Sequence, residues 1–180
     1  MRAALSATVL ALALAAAASA QDATTPGAPG AEATVEAYAR AFASGDRAGA
    51  AEYLDPAELE TFVGLLRSLA ALDDSGTFAL DDDATPAQAF GQFLDAVTGA
   101  EPLMGEALGS LQARVVGSVP EGDSLRHVVV RSQFQLDGAE ASAVALTTAR
   151  WTGMHWVVTF DEKMRQFQRS IRAALPARGQ

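Results

Sequence analysis

The chain has 180 residues, no cysteine, and 22 acidic against 13 basic residues, which gives a formal net charge of −9. An acidic surface repels the phosphates of nucleic acids and of anionic membranes, so we expect neither as a partner. The absence of cysteine excludes disulfides and thiolate chemistry, and stability must therefore come from packing.

The first 20 residues have the pattern of a secretory signal peptide. Arg2 precedes a run of small and apolar residues that ends in Ala18-Ser19-Ala20, which fits the small-x-small rule for cleavage after Ala20. The alternative, a transmembrane anchor, is less favoured because the run is short and no basic cluster follows it. The sequence predicts export to the periplasm or the exterior. Cleavage would leave 12 basic and 22 acidic residues, a net charge of −10.

The start of the mature chain is rich in proline, glycine, alanine and threonine over residues 21–33, a composition typical of a flexible leader. We expect one domain over residues 34–175 and a short tail over 176–180. Its first helix should have Thr34 as N-cap and end at Gly45, because these residue types favour those positions. The apolar stripe of this helix consists of Val35, Tyr38, Ala39 and Phe42.

Further helices are predicted from capping residues, two of which precede a proline, at Asp46, Asp55-Pro56 and Thr85-Pro86. The second and third of these helices should bury the apolar side chains of Leu59, Phe62, Val63, Leu66, Leu69, Ala70, Ala89, Phe90, Phe93, Leu94 and Val97. Between them, residues 73–85 form an acidic loop that lacks the spacing of a calcium-binding loop. Residues 102–108 should add a turn or two of helix.

The second half of the chain changes to β-branched runs at 111–119, 124–136, 140–151 and 154–160. Asp137-Gly138 and Thr152-Gly153 are each predicted to form a two-residue hairpin turn. A last helix is indicated by Met164, Phe167, Ile171 and Leu175. We therefore predict an α+β fold in which helices pack on an antiparallel sheet of four or more strands, followed by an extra C-terminal helix.

The two hairpins predict which strand residues share a face, since a two-residue turn fixes the pairing. Trp151 should pair with Met154, and Arg150 should pair with His155. The inner face, against the helices, should hold Val128, Val130, Phe134, Leu136, Ala139, Ala141, Ala143, Ala145, Ala149, Trp151, Met154, Trp156, Val158 and Phe160, with Arg126, Ser132 and Thr147 as its polar members. The outer face mixes aliphatic residues with long polar ones, which is typical of a surface that meets a partner.

The stretch VEAYARAFASGDRAGAAEYLDP resembles the opening two helices of the nuclear transport factor 2-like (SnoaL-like) superfamily, and TGMHWVVTF is similar to its closing hairpin. The resemblance covers roughly residues 34–160 and implies a cone-like fold, in which a curved sheet wraps around the first helix with a pocket between them. It also implies a choice among isomerases, dehydratases, hydrolases and binding domains. This chain departs from the pattern in its enlarged helical region over 56–108 and its added C-terminal helix.

Two sets of residues are candidates for function. A small pocket between helices and sheet, suited to a small apolar ligand, would be lined by Tyr38, Phe42, Arg126, Trp151 and Trp156. The outer face gathers a second set, which would contact an anion, solvent or a second subunit: His127, Arg131, Arg150 and His155. Two histidines without a convergent carboxylate make a poor zinc site, and we expect no metal or cofactor.

The inner strands carry no aspartate or glutamate that would act as a general base. We therefore favour an exported, non-catalytic binding or interaction module, with a homodimer through the outer sheet face as one form of it. A small pocket enzyme of the isomerase, dehydratase or hydrolase type, using Tyr38, is the alternative.

Overall fold

The structure, a computed structural model, describes residues 30–72 and 79–175. The helices are α1 (Ala31–Ala43), α2 (Arg47–Ala51), α3 (Pro56–Ala70), α4 (Pro86–Ala100), α5 (Pro102–Gly109) and, after the strands, α6 (Glu162–Ala174). The strands are β1 (Gln112–Glu121), β2 (Leu125–Leu136), β3 (Ala139–Trp151) and β4 (Trp156–Val158). The predicted signal peptide, most of the leader and the predicted tail lie outside the described residues.

The four strands form one antiparallel sheet in the order β1-β2-β3-β4. Helices first, then the sheet, then a terminal helix is the α+β architecture predicted from the sequence. Within the described part of the chain the sheet does not close, since among the strands β1 pairs only with β2 and β4 only with β3. A bulge between Val115 and Gly117 interrupts the register of β1, and such bulges bend a strand.

The β2–β3 hairpin has the predicted two-residue turn. Asp137 and Gly138 both have positive φ, 54° and 71°, as a type I′ turn requires. Their amides donate to the carboxylate of Glu106 at 3.0 Å each. The resulting register pairs Leu136 with Ala139 at the turn, and the pairing continues along both strands as predicted.

The second hairpin differs from its prediction, because its loop has four residues, 152–155, rather than two. The Thr152 hydroxyl donates to the His155 carbonyl at 2.9 Å and accepts from the His155 amide at 3.2 Å. These bonds close a wider loop, so Trp151 pairs with Trp156 and Arg150 pairs with Val157. The predicted pairs of Trp151 with Met154 and of Arg150 with His155 are therefore wrong. Because the register differs from the predicted one by two residues, every residue that is in a strand keeps its predicted face. Met154 is the exception to the predicted inner face, since it lies in the loop and is 78% exposed.

Most helix starts agree with the sequence. Asp55 caps α3 through the Ala57 amide at 3.0 Å, and Thr85 forms a capping box with Gln88 at the start of α4. The first helix differs: its N-cap is Gly30, four residues before the expected N-cap, Thr34. The reason is that Ala31 and Thr34 are both buried against the core, so packing extends the helix into the predicted leader.

The core lies between the sheet and the helices. Helix α1 crosses the inner face and contacts all four strands. Behind it, Phe62 of α3 is fully buried, with its ring centroid 5.5–6.1 Å from those of Phe90, Phe93, Phe160 and Phe167. The enlarged helical region and the terminal helix therefore join through one aromatic cluster, to which α3, α4 and α6 each contribute.

Three positions predicted to be buried in helices are more open than expected. Leu69 is exposed, and Ala70 and Val97 are only partly buried. Leu69 and Ala70 lie in the last turn of α3, where fewer neighbours surround the helix. None of the helices in the described ranges is both long enough and apolar enough to cross a bilayer.

Candidate functional site

The five predicted pocket residues do not converge on one site. Tyr38 and Phe42 are buried on α1, with ring centroids 5.9 Å apart. Trp151 and Trp156 pair across β3 and β4 with centroids 5.7 Å apart, and each is half-buried. Arg126 is held at the other end of α1 by Glu32, at 3.5 Å. The guanidinium is therefore neutralised by a carboxylate and does not line an interior pocket with Tyr38.

A small cavity of about 70 Å³ lies between α1 and the end of the sheet. It is lined by Tyr38, Leu54, Ala145, Leu146, Thr147, Thr148, Val158, Thr159, Phe160 and Asp161. Thr147 is 5% exposed, and its hydroxyl has no hydrogen-bond partner among the described residues. A cavity of this size with polar lining suits about two water molecules.

The chemistry of the cavity is governed by Tyr38. Burial raises the pKa of its phenol far above the ordinary value, and the negative charge of Asp161 raises it further. The phenol thus keeps its proton at neutral pH, and its chemistry is that of a hydrogen-bond donor group rather than of a base. Sequence reasoning missed Asp161, although its position as N-cap of α6, bonded to the Met164 amide at 2.7 Å, carries a recognisable capping pattern.

The predicted outer-face set is also dispersed. His127 is held between the Thr148 hydroxyl at 3.1 Å and the Glu121 carboxylate at 2.5 Å. Arg131 is exposed beside Val144, and His155 projects from the loop. With one histidine and one arginine bound to carboxylates, the set does not form an anion site.

Arg150 is the best-fixed member of that set. Its guanidinium donates through Nε and Nη2 to Oδ2 of Asp55, at the start of α3. The Asp55 side chain is 5% exposed and that of Arg150 is 43% exposed. Burial alone would raise the pKa of Asp55, but the hydrogen bonds and charge of Arg150, with the amides of Glu58 and Ala57, hold that pKa below its ordinary value.

The Asp55–Arg150 pair is structural. The Asp55 amide donates to the Val158 carbonyl at 2.8 Å, and the Val158 amide donates to the Tyr53 carbonyl at 2.8 Å. Glu58, one turn along α3, accepts from the Phe160 amide at 2.6 Å and from Arg165 at 2.9 Å. These contacts fasten the start of α3 to β4 and to α6. They also leave no free carboxylate there for acid–base catalysis.

A second, open cleft of about 720 Å³ lies on the helical side. It is lined by Gly45, Asp46, Arg47, Ala48, Asp81, Asp82, Asp83, Ala84, Gln88, Gly91, Gln92 and Asp95. Arg47 pairs with Asp95, and Asp46 caps α2. Within residues 30–72 and 79–175, no three aspartate, glutamate or histidine side chains come together as a metal site would require.

The outer face of the sheet exposes aliphatic side chains at neighbouring positions. Val119, Val144 and Leu146 are 60%, 62% and 58% exposed. Val129 lies among them, paired with Gly117 on one side and with Leu146 on the other. We call these four residues the outer-face patch. Not all of the outer face is open, however, because Val157 is 1% exposed where the chain before α3 runs along β4.

No protein-family model matches the chain, and no curated protein or solved structure matches it significantly. The function must therefore follow from the geometry of the chain itself.

Proposed function

We propose that this protein is an exported, non-catalytic interaction module that binds a second copy of itself through the outer-face patch. The observation that carries the proposal is the exposure of Val119 on β1 and of Val144 and Leu146 on β3, each more than half open to solvent on the same face of the sheet. Apolar side chains gathered on one exposed surface mark interaction sites, because water contact with them is unfavourable. Arg131 lies beside Val144 and gives the patch a polar border, and protein interfaces commonly have a polar rim and are enriched in arginine.

The small volume of the interior cavity argues against catalysis at that cavity and favours interaction at the surface. Pockets that hold organic substrates have volumes of roughly 300–1,000 Å³, whereas the cavity beside Tyr38 has about 70 Å³. A small apolar ligand in that cavity is the less favoured alternative, since the Thr147 hydroxyl and the Asp161 carboxylate both line it. The raised pKa of Tyr38 also argues against an enzyme in which this phenol acts as the base.

The other parts of the proposal rest on sequence. Export is supported by the apolar run before Ala20 and its small-x-small ending. Membership of the nuclear transport factor 2-like superfamily is supported by the resemblance of the opening helices. It is also consistent with the Gly45-Asp46 turn that joins α1 to α2, and with the packing of α1 on all four strands.

Sedimentation velocity on residues 21–180 tests the proposed surface. We expect the wild-type chain to form a dimer that dissociates on dilution. Leu146→Glu should give a monomer, because it places a charge in the patch of a chain that is already acidic. The matched control is Leu103→Glu, since Leu103 is 53% exposed on α5 and is not part of the outer-face patch.

The control should leave the dimer unchanged, and circular dichroism should show both variants folded. A wild-type chain that remains monomeric at millimolar concentration would contradict the proposal. The proposal would also be contradicted if Leu146→Glu and Leu103→Glu had the same effect on the dimer.

A further inference from the structure

The residues of β3 that face outwards form a pattern that is complementary to its own reverse. In chain order they are an acid, a hydroxyl, two aliphatic residues, a hydroxyl and a base: Glu140, Ser142, Val144, Leu146, Thr148 and Arg150. We call these six residues the outward row. Read backwards, the row has the same kinds of residue with the two charges exchanged. It therefore matches a second copy of itself when the two rows run in opposite directions.

The outward row is accessible along its length. Its first four members are exposed, and the two aliphatic ones are 62% and 58% exposed. Thr148 is partly buried, and the side chain of Arg150 is 43% exposed. Because β4 pairs with β3 edge to edge within the sheet, it lies beside the outward row and not over it. A second sheet can therefore stack on this face without displacing β4.

Both charged ends of the outward row can take a further partner. Arg150 binds Oδ2 of Asp55 through Nε and Nη2, and a guanidinium has five N–H donors, so Nη1 remains for a second carboxylate. Glu140 accepts from Gln133 at 3.3 Å through Oε1, which leaves its other oxygen. The two ends are about 33 Å apart along the strand, so they do not neutralise each other within one copy.

We propose that two copies stack face to face with their β3 strands antiparallel, across a two-fold axis level with Ala145. This inference rests on the proposed function and specifies how the two outer-face patches meet. Val144 packs on the partner's Leu146, and Glu140 approaches the partner's Arg150. Each contact occurs twice, because the axis exchanges the two copies. Sheets stacked in this way lie about 10 Å apart, with side chains between them.

The charges select the antiparallel direction. In a parallel stack each member of the outward row would lie over its own counterpart, so Glu140 would meet the partner's Glu140 and Arg150 would meet the partner's Arg150. Like charges brought together at an interface weaken binding. In the antiparallel stack each end of the row meets the opposite charge, which matters in a chain with a formal net charge of −9.

The neighbouring strand β2 fits the same axis. Arg131 lies opposite Val144, and Val129 lies opposite Leu146, in the β2–β3 register. The axis therefore places Arg131 over the partner's Val129. The apolar stem of an arginine can pack on a valine while its guanidinium stays in water. The stack thus brings no two arginines of the outer face of β2 and β3 together.

Reversing the charge of Glu140 tests the contact at the ends of the row. In Glu140→Arg, two pairs of like charge replace two ion pairs, and in sedimentation equilibrium on residues 21–180 we expect the dimer to weaken by roughly tenfold. The matched control is Glu60→Arg, since Glu60 is exposed on α3 and the variant has the same net charge. It should leave the dimer as tight as wild type or tighter, because the total negative charge falls.

Two outcomes separate this arrangement from the proposed function. If Glu140→Arg dimerises as tightly as Glu60→Arg, Glu140 does not meet a base and the antiparallel stack is wrong. The proposed function then still stands, provided that Leu146→Glu gives a monomer. If Leu146→Glu remains dimeric, the proposed function fails, and the antiparallel stack fails with it.

Distances between spin labels measure the arrangement independently, and the chain has no native cysteine to interfere. Gln133→Cys and Gln135→Cys place a nitroxide at exposed positions of β2, level with Ser142 and Glu140. At a concentration where the chain is dimeric, double electron–electron resonance should give separations of roughly 22 Å and 35 Å respectively. The reason is that each residue of rise, about 3.3 Å, counts twice across the axis. Equal separations at the two positions would refute the antiparallel stack.

Discussion

The two faces of the sheet use the same kinds of residue with opposite results. On the inner face Val128 and Val130 are fully buried beneath α1, while on the outer face Val144 and Leu146 leave more than half of their surface in water. Apolar residues of the neighbouring strands β2 and β3 thus have different environments, since the alternation of side chains sends them to opposite faces. The difference shows that apolar character alone does not place a residue in the core. Another element must also cover it.

The core on the inner side of the sheet should be more sensitive to truncation than the outer face. Phe62→Ala removes a ring that is fully buried against four others, and we expect it to lower the free energy of unfolding by about 3–5 kcal/mol. Urea denaturation of residues 21–180 followed by circular dichroism would measure the loss. A loss below 1 kcal/mol would mean that the aromatic cluster repacks, and that the helices hold the sheet by other contacts.

The Asp55–Arg150 pair, which ties the start of α3 to β3, should have the next largest effect on stability. Asp55→Ala removes both the cap of α3 and the acceptor for Arg150, which should cost roughly 2–3 kcal/mol. Asp55→Asn keeps a capping oxygen and should cost less. Because the pKa of Asp55 is lowered in the folded state, its carboxylate stabilises the fold above the unfolded pKa of about 3.9.

This stabilisation should disappear as the pH falls through the folded pKa of Asp55. The stability difference between wild type and Asp55→Asn, measured in urea at pH 7 and at pH 3, should therefore narrow at the lower pH. A difference that stays constant would show that the charge of Asp55 contributes nothing, and that Arg150 is held by packing.

The outer face should show the smallest effect on stability. Val119→Thr changes an exposed side chain of β1 to one that also favours strands, and we expect the free energy of unfolding to change by no more than about 0.5 kcal/mol. Urea denaturation at a concentration where the chain is monomeric is the appropriate measurement. A loss of 2 kcal/mol or more would mean that Val119 is covered within a single copy.

Much of the fold was predictable because its signals are local. Asp55-Pro56 and Thr85-Pro86 mark helix starts through caps that reach only two or three residues along the chain. Asp137-Gly138 fixed the β2–β3 register, and with it the faces of both strands. The site was less predictable, since only Tyr38 of the five proposed pocket residues lines the cavity.

The sequence by itself determined the α+β order, the main helix caps and the division of the strands into an inner and an outer face. Each of these follows from residue type and spacing over a few positions. Tertiary structure alone decided the partner of Arg150, which is Asp55, 95 residues earlier, and the loop length at 152–155. It also decided how far β4 covers β3. Such outcomes depend on which distant segments pack together, and no local pattern in the chain encodes that.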